Sequence, residues 1–405
     1  SQYGFRNNHS TVNAITELTS KILNGFDSKQ YTLSVFLDLS KAFDTINHNI
    51  LLKKLEHYGI RGLALDWFKS YLSNRKQFVE FNGTKSDLQN VEFGVPQGSV
   101  LGPLLFIIYV NDLPKSMQKC LAILFADDTT VYLTGNDKKK LFHDMKDDLQ
   151  RLILWFQKNK LSLNLTKTNY VLFSPKGIVI DHTQLNQQNN LTFGNETIQE
   201  VSITKFLGLY LDKHLDWSGQ FKHLSSKLAS ANYILNSVKN ILDVYCKRML
   251  YHAIFSSHLN YGLLLWGTTM PQGSIKKLHI SQKKAIRSVN RSLYNAHTDP
   301  IFKKLNILKL ADMTDLEILK FMYSVSKQNV PIPLLQLFIP NANRHSYNTR
   351  RRNDPSIRQY NYELMHKSVL CRGPAMWSIL RHDIKTSPSM KSLTRRIKKD
   401  KFNHY

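Results

Sequence analysis

Cysteine is scarce in this sequence. The three present, Cys120, Cys246 and Cys371, lie far apart and form no Cys-x-x-Cys pair. That excludes a disulfide-stapled scaffold and a cysteine zinc knuckle, and suits a reducing compartment. Long apolar runs are missing too. The longest, roughly Val100–Val110, falls well short of the ~20 residues a bilayer-spanning helix needs. No repeat, low-complexity stretch, signal or transit pattern is visible. Acidic residues are outnumbered, with 30 Asp and Glu against 55 Lys and Arg, a net charge of +25 over 405 residues. Hydrophobic residues make up 42%, too much for a disordered tail. A basic surplus of this size points to a polyanionic partner.

At ~150 residues per domain the length implies two or three domains. The charge divides them. From Pro271 to Tyr405 there are 26 Lys and Arg against 8 Asp and Glu, whereas the first 270 residues carry only +7. An acid-containing core followed by a basic clamp is expected.

Hydrophobic patterning predicts a buried strand over Thr32–Leu39 containing an acid, Asp38, near its end. Helices are expected at His48–His57, Gly62–Leu72 and from Pro103 toward Asn111. Lys76–Phe81 alternates as a strand, and Gly94–Ser99 is a Gly/Pro-rich loop. Ala122–Phe125 and Thr129–Leu133 are strands split by Ala126-Asp127-Asp128, a tight hairpin with two acids at its bend. An amphipathic helix carries Leu141, Met145, Leu149, Leu152 and Phe156. Strands follow at Tyr170–Phe173 and Phe206–Leu211, and helical spacing sets in at Phe221. After Pro331 the chain is Pro-, Asn- and Arg-rich, with no clear periodicity.

Alone, Asp127-Asp128 is an ordinary turn and Asp38 an ordinary strand-end acid. Both flanking strands are apolar enough to be central, so neighbouring strands would bring three carboxylates to one sheet edge. Such charges repel unless neutralised. Hard oxygen ligands without a His or Cys cluster favour Mg²⁺. Two such ions ~3.5–4 Å apart activate an attacking hydroxyl and stabilise a leaving pyrophosphate.

Phe36-Leu-Asp38-Leu-Ser-Lys-Ala-Phe43-Asp44, Gly94-Val-Pro-Gln-Gly98-Ser, Phe125-Ala-Asp127-Asp128 and Lys205-Phe-Leu-Gly-Leu-Tyr210 occur in that order. Together they resemble the motifs of reverse transcriptases, most closely those of jockey-like non-LTR (LINE-type) retrotransposons. Gln2-Tyr-Gly-Phe-Arg6 with Ser10-Thr11 resembles the end of that family's fingers. His345-Ser-Tyr-Asn-Thr-Arg350 and Arg372-Gly-Pro-Ala-Met-Trp377 resemble its tails. The resemblance implies an α+β right-hand polymerase: an antiparallel palm sheet with packed helices and partial fingers over 1–217, a helical thumb over 218–300, and a basic C-terminal region over 301–405. It implies RNA-directed DNA synthesis with two Mg²⁺ ions, with RNA template, DNA primer or target DNA and dNTPs as partners, and no membrane partner. The chain opens inside the fingers pattern, so an N-terminally truncated fragment is expected, without the upstream fingers segment and endonuclease.

By the same resemblance Asp38, Asp127 and Asp128 match the metal-binding acids, Asp128 in the more supportive role, and Leu39 contributes its backbone. Phe43 matches the aromatic that excludes a ribose 2′-hydroxyl, although outside the motif it would be an ordinary core residue. Gln97 and Gly98 match the loop against the incoming nucleotide and template. Lys167 matches a lysine near the pyrophosphate, acting as general acid or simply as a cation; a solvated surface lysine is the plain alternative. Leu207 and Gly208 match a hairpin supporting the primer end.

Lys283, Lys284, Arg287 and Arg291 fall near helical steps and are expected to form one basic stripe along a duplex. Arg350–Arg352 and Arg395–Lys399 add cations among the aromatics Tyr347, Tyr360, Tyr362 and Trp377, a pattern suited to phosphates and unpaired bases. The terminal cluster also resembles a nuclear-import signal. Two rival readings stay open here: a catalytically inactive nucleic-acid-binding remnant, and another palm polymerase such as an RNA replicase.

Overall fold

The computed structural model describes residues 1–177, 190–194, 196–343 and 352–405. The expected tail motif His345–Arg350, together with Arg351, lies outside the described residues. The chain divides into two compact units. One comprises Ser1–Ala14 and Gln30–Ser202, the other Ile15–Lys29 and Ile203–Tyr405. Residues 15–29 and 203–217, from the stretch expected to form palm and fingers, therefore belong to the second unit. Among the described residues, no helix is long and apolar enough to cross a membrane.

Helix α1 (Thr11–Asp27) begins under the Ser10 hydroxyl, which accepts the Asn13 amide at 3.1 Å. In the first unit follow β1 (Tyr31–Leu37), α2 (His48–His57), α3 (Leu63–Leu72), α4 (Leu101–Val110), β2 (Leu121–Phe125), β3 (Asp128–Gly135), α5 (Lys138–Lys158), β4 (Asn169–Phe173) and β5 (Gln199–Glu200). The sheet order is β5-β4-β1-β3-β2, antiparallel except for the β5–β4 edge. Its centre is β1, almost wholly buried. The alternate residues Leu33, Val35 and Leu37 enter a core with Phe106 and Tyr109 of α4 and Met145, Leu149, Leu152 and Phe156 of α5. The spacing of those last four is what makes α5 an amphipathic lid over one sheet face.

Lys76–Phe81 is not one strand. Lys76–Gln77 pairs with Gln89–Asn90, and Glu80–Phe81 pairs with Thr84–Lys85 around Asn82-Gly83, both at positive φ. These side chains are exposed, so no buried face favours a continuous strand, and Asn-Gly is the stronger local signal. Phe206–Leu211 likewise folds as two strands, β6 (Ile203–Phe206) and β7 (Leu209–Asp212), about the turn Leu207-Gly208.

In the second unit β6 and β7 lead to α6 (Ser218–Ser237), α7 (Val244–Tyr251), α8 (Gln272–Val289), α9 (Leu310–Ser326), α10 (Val369–Ile379) and α11 (Met390–Phe402). α1 is integrated here. Asp27 accepts the amides of Asn361 and Tyr362 at 2.6 and 2.8 Å, and Phe26 meets the Tyr362 ring edge-on at 5.5 Å. Among the described residues the Pro- and Asn-rich tail is largely helical. Buried Trp377, Leu393 and Ile397 anchor helices that local composition alone would not predict.

One buried acid ties β2 to α5. The Asp148 carboxylate, with no exposed side-chain surface, accepts the amides of Gln118, Lys119 and Cys120 at 3.0, 2.8 and 2.7 Å and Arg151 at 2.6 Å. Burial alone would raise its pKa, but these donors hold it below the usual carboxylate range. Asp148→Ala leaves three amides without an acceptor and should cost about 3 kcal/mol or more at neutral pH, measured by denaturant unfolding. Because the folded-state pKa is depressed, the carboxylate's contribution is complete above the unfolded value of ~3.9 and is lost as pH falls through the folded one. The gap between wild type and variant should therefore narrow only in strong acid.

Candidate active site

The register of the central strands brings the acids together. Leu37 pairs with Thr129, so Asp38, one residue beyond the end of β1, follows it beside Asp128, the first residue of β3. Phe125 pairs with Asp128, leaving Ala126 and Asp127 as a two-residue turn. The bend is thus one residue shorter than expected, and only Asp127 lies in the turn itself. Loss of hydration, with the charges of Asp127 and Asp38 added to it, pushes the Asp128 carboxyl up to about 6. The residue is nonetheless exposed overall.

Backbone bonds hold Asp38. Its carbonyl accepts the Asn164 amide at 2.8 Å, and its amide donates to the Thr168 hydroxyl at 3.5 Å. Leu39 bridges Leu163. The turn so attached carries Lys167, whose ammonium lies 3.6 Å from an Asp38 carboxylate oxygen. An exposed pair of this kind adds little stability. Its effect is local charge balance.

The turn is braced from the amino terminus. Tyr3 donates its amide to the Leu124 carbonyl at 2.7 Å, and Leu124 donates to Ser1 at 2.9 Å. This extends the β2 edge and seats Gly4 on the turn. A Cβ at Gly4 would lie 2.4 Å from the Ala126 nitrogen. Ala126 itself has φ +54°, a conformation that costs a non-glycine residue energy.

Phe43 is half-buried, its ring 4.6 Å from that of fully buried Phe106 and tilted 30°. Its carbonyl accepts Val95, the Ile46 carbonyl accepts Gly94, and His48 Nε2 lies 2.8 Å from the Gly94 carbonyl. A Cβ at Gly94, where φ is +84°, would stand 2.8 Å from the Asp44 Cα. The loop is thereby clasped to the segment after Asp38. Gln97 donates to Asp44 at 2.8 Å, while Gly98 is exposed with open space around it.

The donor set of Asp38 and Asp127, with the Leu39 carbonyl, is hard, anionic and short of positive charge, which fits a divalent metal. Among the described residues, only His143, Asp144 and Asp147 bring three candidate ligand atoms within 4.8 Å of one another. Lys119 already occupies that position, 2.5 Å from Asp144 and 3.5 Å from Asp147. The three sheet-edge acids do not close to that spacing.

Residues 1–211 match the family model described as reverse transcriptase (RNA-dependent DNA polymerase). The chain belongs to the reverse transcriptase family. It is 29% identical over 330 residues to the probable RNA-directed DNA polymerase from transposon X-element of Drosophila melanogaster, covering 77% of this chain and 34% of that protein. It is 27% identical over 322 residues to the RNA-directed DNA polymerase from mobile element jockey of Drosophila melanogaster, with the same coverage. The resemblance to jockey-like non-LTR elements is borne out, and the chain spans about a third of these relatives' length. Telomerase from Candida albicans, solved with a telomeric RNA fragment, aligns over 73% of this chain and 55% of its own at TM-score 0.40 and 14% identity, too distant to inform the site.

The second unit holds the remaining expected residues. Leu207 and Gly208 form the β6–β7 turn at φ +45° and +87°, and the Tyr261 hydroxyl donates to the Leu207 carbonyl. The four-residue basic stripe is not continuous. α8 stops at Val289, so Arg291 lies beyond it at φ +55°. Its guanidinium caps the carbonyls of Lys239, Asn240 and Leu242, and Arg287 donates to the Ala296 carbonyl at 2.9 Å. Loop carbonyls beyond the helix ends claim these two cations, whereas Lys283 and Lys284 stay on the helix surface.

Sequence reasoning passed over Gly4, Asp44, His48, Phe106, Asn164 and Thr168. Gly4 and Asp44 stand within quoted motifs, Asn164 and Thr168 bound the Asn164-Leu-Thr-Lys167-Thr stretch that carries the Lys167 match, and His48 and Phe106 carry no local signal. Gly4→Ala should cost about 1–3 kcal/mol. It should also speed amide exchange at Ala126–Asp128 beyond the rest of the sheet; exchange that rises uniformly would refute the brace.

Proposed function

We propose that this chain carries the polymerase centre of a mobile element's RNA-directed DNA polymerase, adding deoxynucleotides to a primer 3′-hydroxyl on an RNA template. The observation that carries the reading is the convergence of Asp38, Asp127 and Asp128 at one sheet end, where loss of hydration and then the neighbouring charges push the Asp128 carboxyl up. In this reading residues 1–217 form palm and partial fingers, 218–300 a thumb and 301–405 a basic C-terminal region.

Asp38 and Asp127, with the Leu39 carbonyl, would hold two Mg²⁺ ions, and Asp128 would adjust the charge beside them. When bound, the metal neutralises phosphate oxygens and favours deprotonation of the attacking hydroxyl. The chain supplies position and charge. Lys167, tethered next to Asp38, carries positive charge toward the departing pyrophosphate. Phe43, backed by Phe106, is a rigid wall against a 2′-hydroxyl. Gln97 and Gly98 line the nucleotide and template, Leu207-Gly208 supports the primer end, and Lys283 and Lys284 bind duplex phosphates.

Asp127→Asn should lower Mg²⁺-dependent primer extension by roughly 10²–10³-fold or more while leaving the unfolding midpoint nearly unchanged. Extension at the wild-type rate would remove the metal role. Phe43→Ala should relax discrimination against ribonucleotides by about 10- to 100-fold, read as the ratio of kcat/KM for paired ribo- and deoxynucleotides. An unaltered ratio would transfer the gate to another residue.

A further inference from the structure

The six basic side chains of α11 divide into two groups. Lys401 is spent on Asp312 and Asp315, at 3.0 and 2.6 Å, and Arg396 donates to the Asp383 carbonyl. Both help dock the helix, whose Leu393 and Ile397 are buried. Lys391, Arg395, Lys398 and Lys399 have no ion-pair partner among the described residues, and they line a concavity of about 720 Å³ with Met390 and Phe402. Lys391, Arg395 and Lys398 follow one helical stripe, about 10 Å long at 1.5 Å per residue. Phe402 is fixed edge-on against Tyr405, 5.2 Å away.

The concavity runs on past Thr394 and Lys398 into a second of about 230 Å³, lined by His252, Ser256 and Asn260. His252 and Ser256 bound a π-helical turn, a distortion frequent at functional sites. The acid in this second part, Glu317, is already paired with Lys320 at 2.8 Å. Burial, then the charges of Lys398 and Arg248, hold His252 below its usual pKa, so at neutral pH it offers a neutral donor and acceptor.

We propose that this groove is a binding site for a single polynucleotide strand, held through its phosphates by Lys391, Arg395, Lys398 and Lys399, with an unpaired base against Phe402 and Met390. Free cations in a row favour a polyanion. A concave seat with an apolar, aromatic wall favours a strand whose bases are open over a duplex that hides them. The site extends the polymerase reading but needs none of the sheet-edge acids, so the two are tested separately.

The test measures binding of a short unstructured RNA to the full 405-residue chain by fluorescence anisotropy across a salt series. The variant K391Q/R395Q/K398Q should bind several-fold more weakly, with a log–log salt slope shallower by about 2, at about 0.7 per phosphate lost. K53Q/K139Q/K140Q removes the same charge from the first unit and should keep both. Binding is read without Mg²⁺ or nucleotides, so the groove stands or falls independently of extension. K391Q/R395Q changes only exposed side chains and should lose part of the effect at an unaltered melting temperature. Wild-type affinity and slope in the triple variant would overturn the proposal, as would equal losses in the control triple. Displacement of the RNA by poly-glutamate as efficiently as by poly-uridine would also overturn it, by showing a seat for acidic peptides.

Discussion

Three carboxylates that repel one another are kept at one sheet end by backbone geometry, and the first unit is arranged around that constraint. The β1–β3 ladder fixes where Asp38 and Asp128 emerge. The Asn164–Thr168 turn grips Asp38 by its amide and carbonyl, leaving the carboxylate to Lys167 and solvent. Gly4 presses on the Asp127 turn. None of these restraints consumes a carboxylate oxygen, so the charge stays concentrated and available. A fold that paired the acids with buried arginines would gain local neutrality and lose affinity for a cation.

Much of this frame was legible in the sequence. β1, α2, α5 and the acidic hairpin carry strong periodicity or turn chemistry, and their positions follow from it within a residue or two. The acids could be expected at one edge because their strands are apolar enough to be central. Contacts set by tertiary approach were not legible. Nothing local to Phe43 indicates that Phe106 backs it, or that Gln97 turns to Asp44. At Lys76–Phe81 alternation competed with Asn82-Gly83, and the turn won because the strand had no face to bury. Asp128 reads as part of the bend in the sequence because hairpin length is fixed by pairing, which sequence does not display.

The second unit shows why net charge is a poor guide to free charge. Arg291 caps three carbonyls, and buried Lys247 donates to the Lys239 carbonyl at 2.9 Å. Lys401 neutralises two aspartates. Cations recruited to finish helix ends and dock helices are unavailable to phosphates, and sequence spacing does not separate them from the rest. Their chemistry is the same; their partners differ.

The clasp between residues 43–48 and 93–98 has a mechanical result. Phe43 and Gln97 lie on separate stretches of chain, yet the bonds to Val95, Gly94 and Asp44 make them one rigid part. Any displacement of that part moves the ring and the amide by the same amount. Under the roles proposed for these two residues, sugar choice and base alignment are geared to a single lever, so that retuning one disturbs the other.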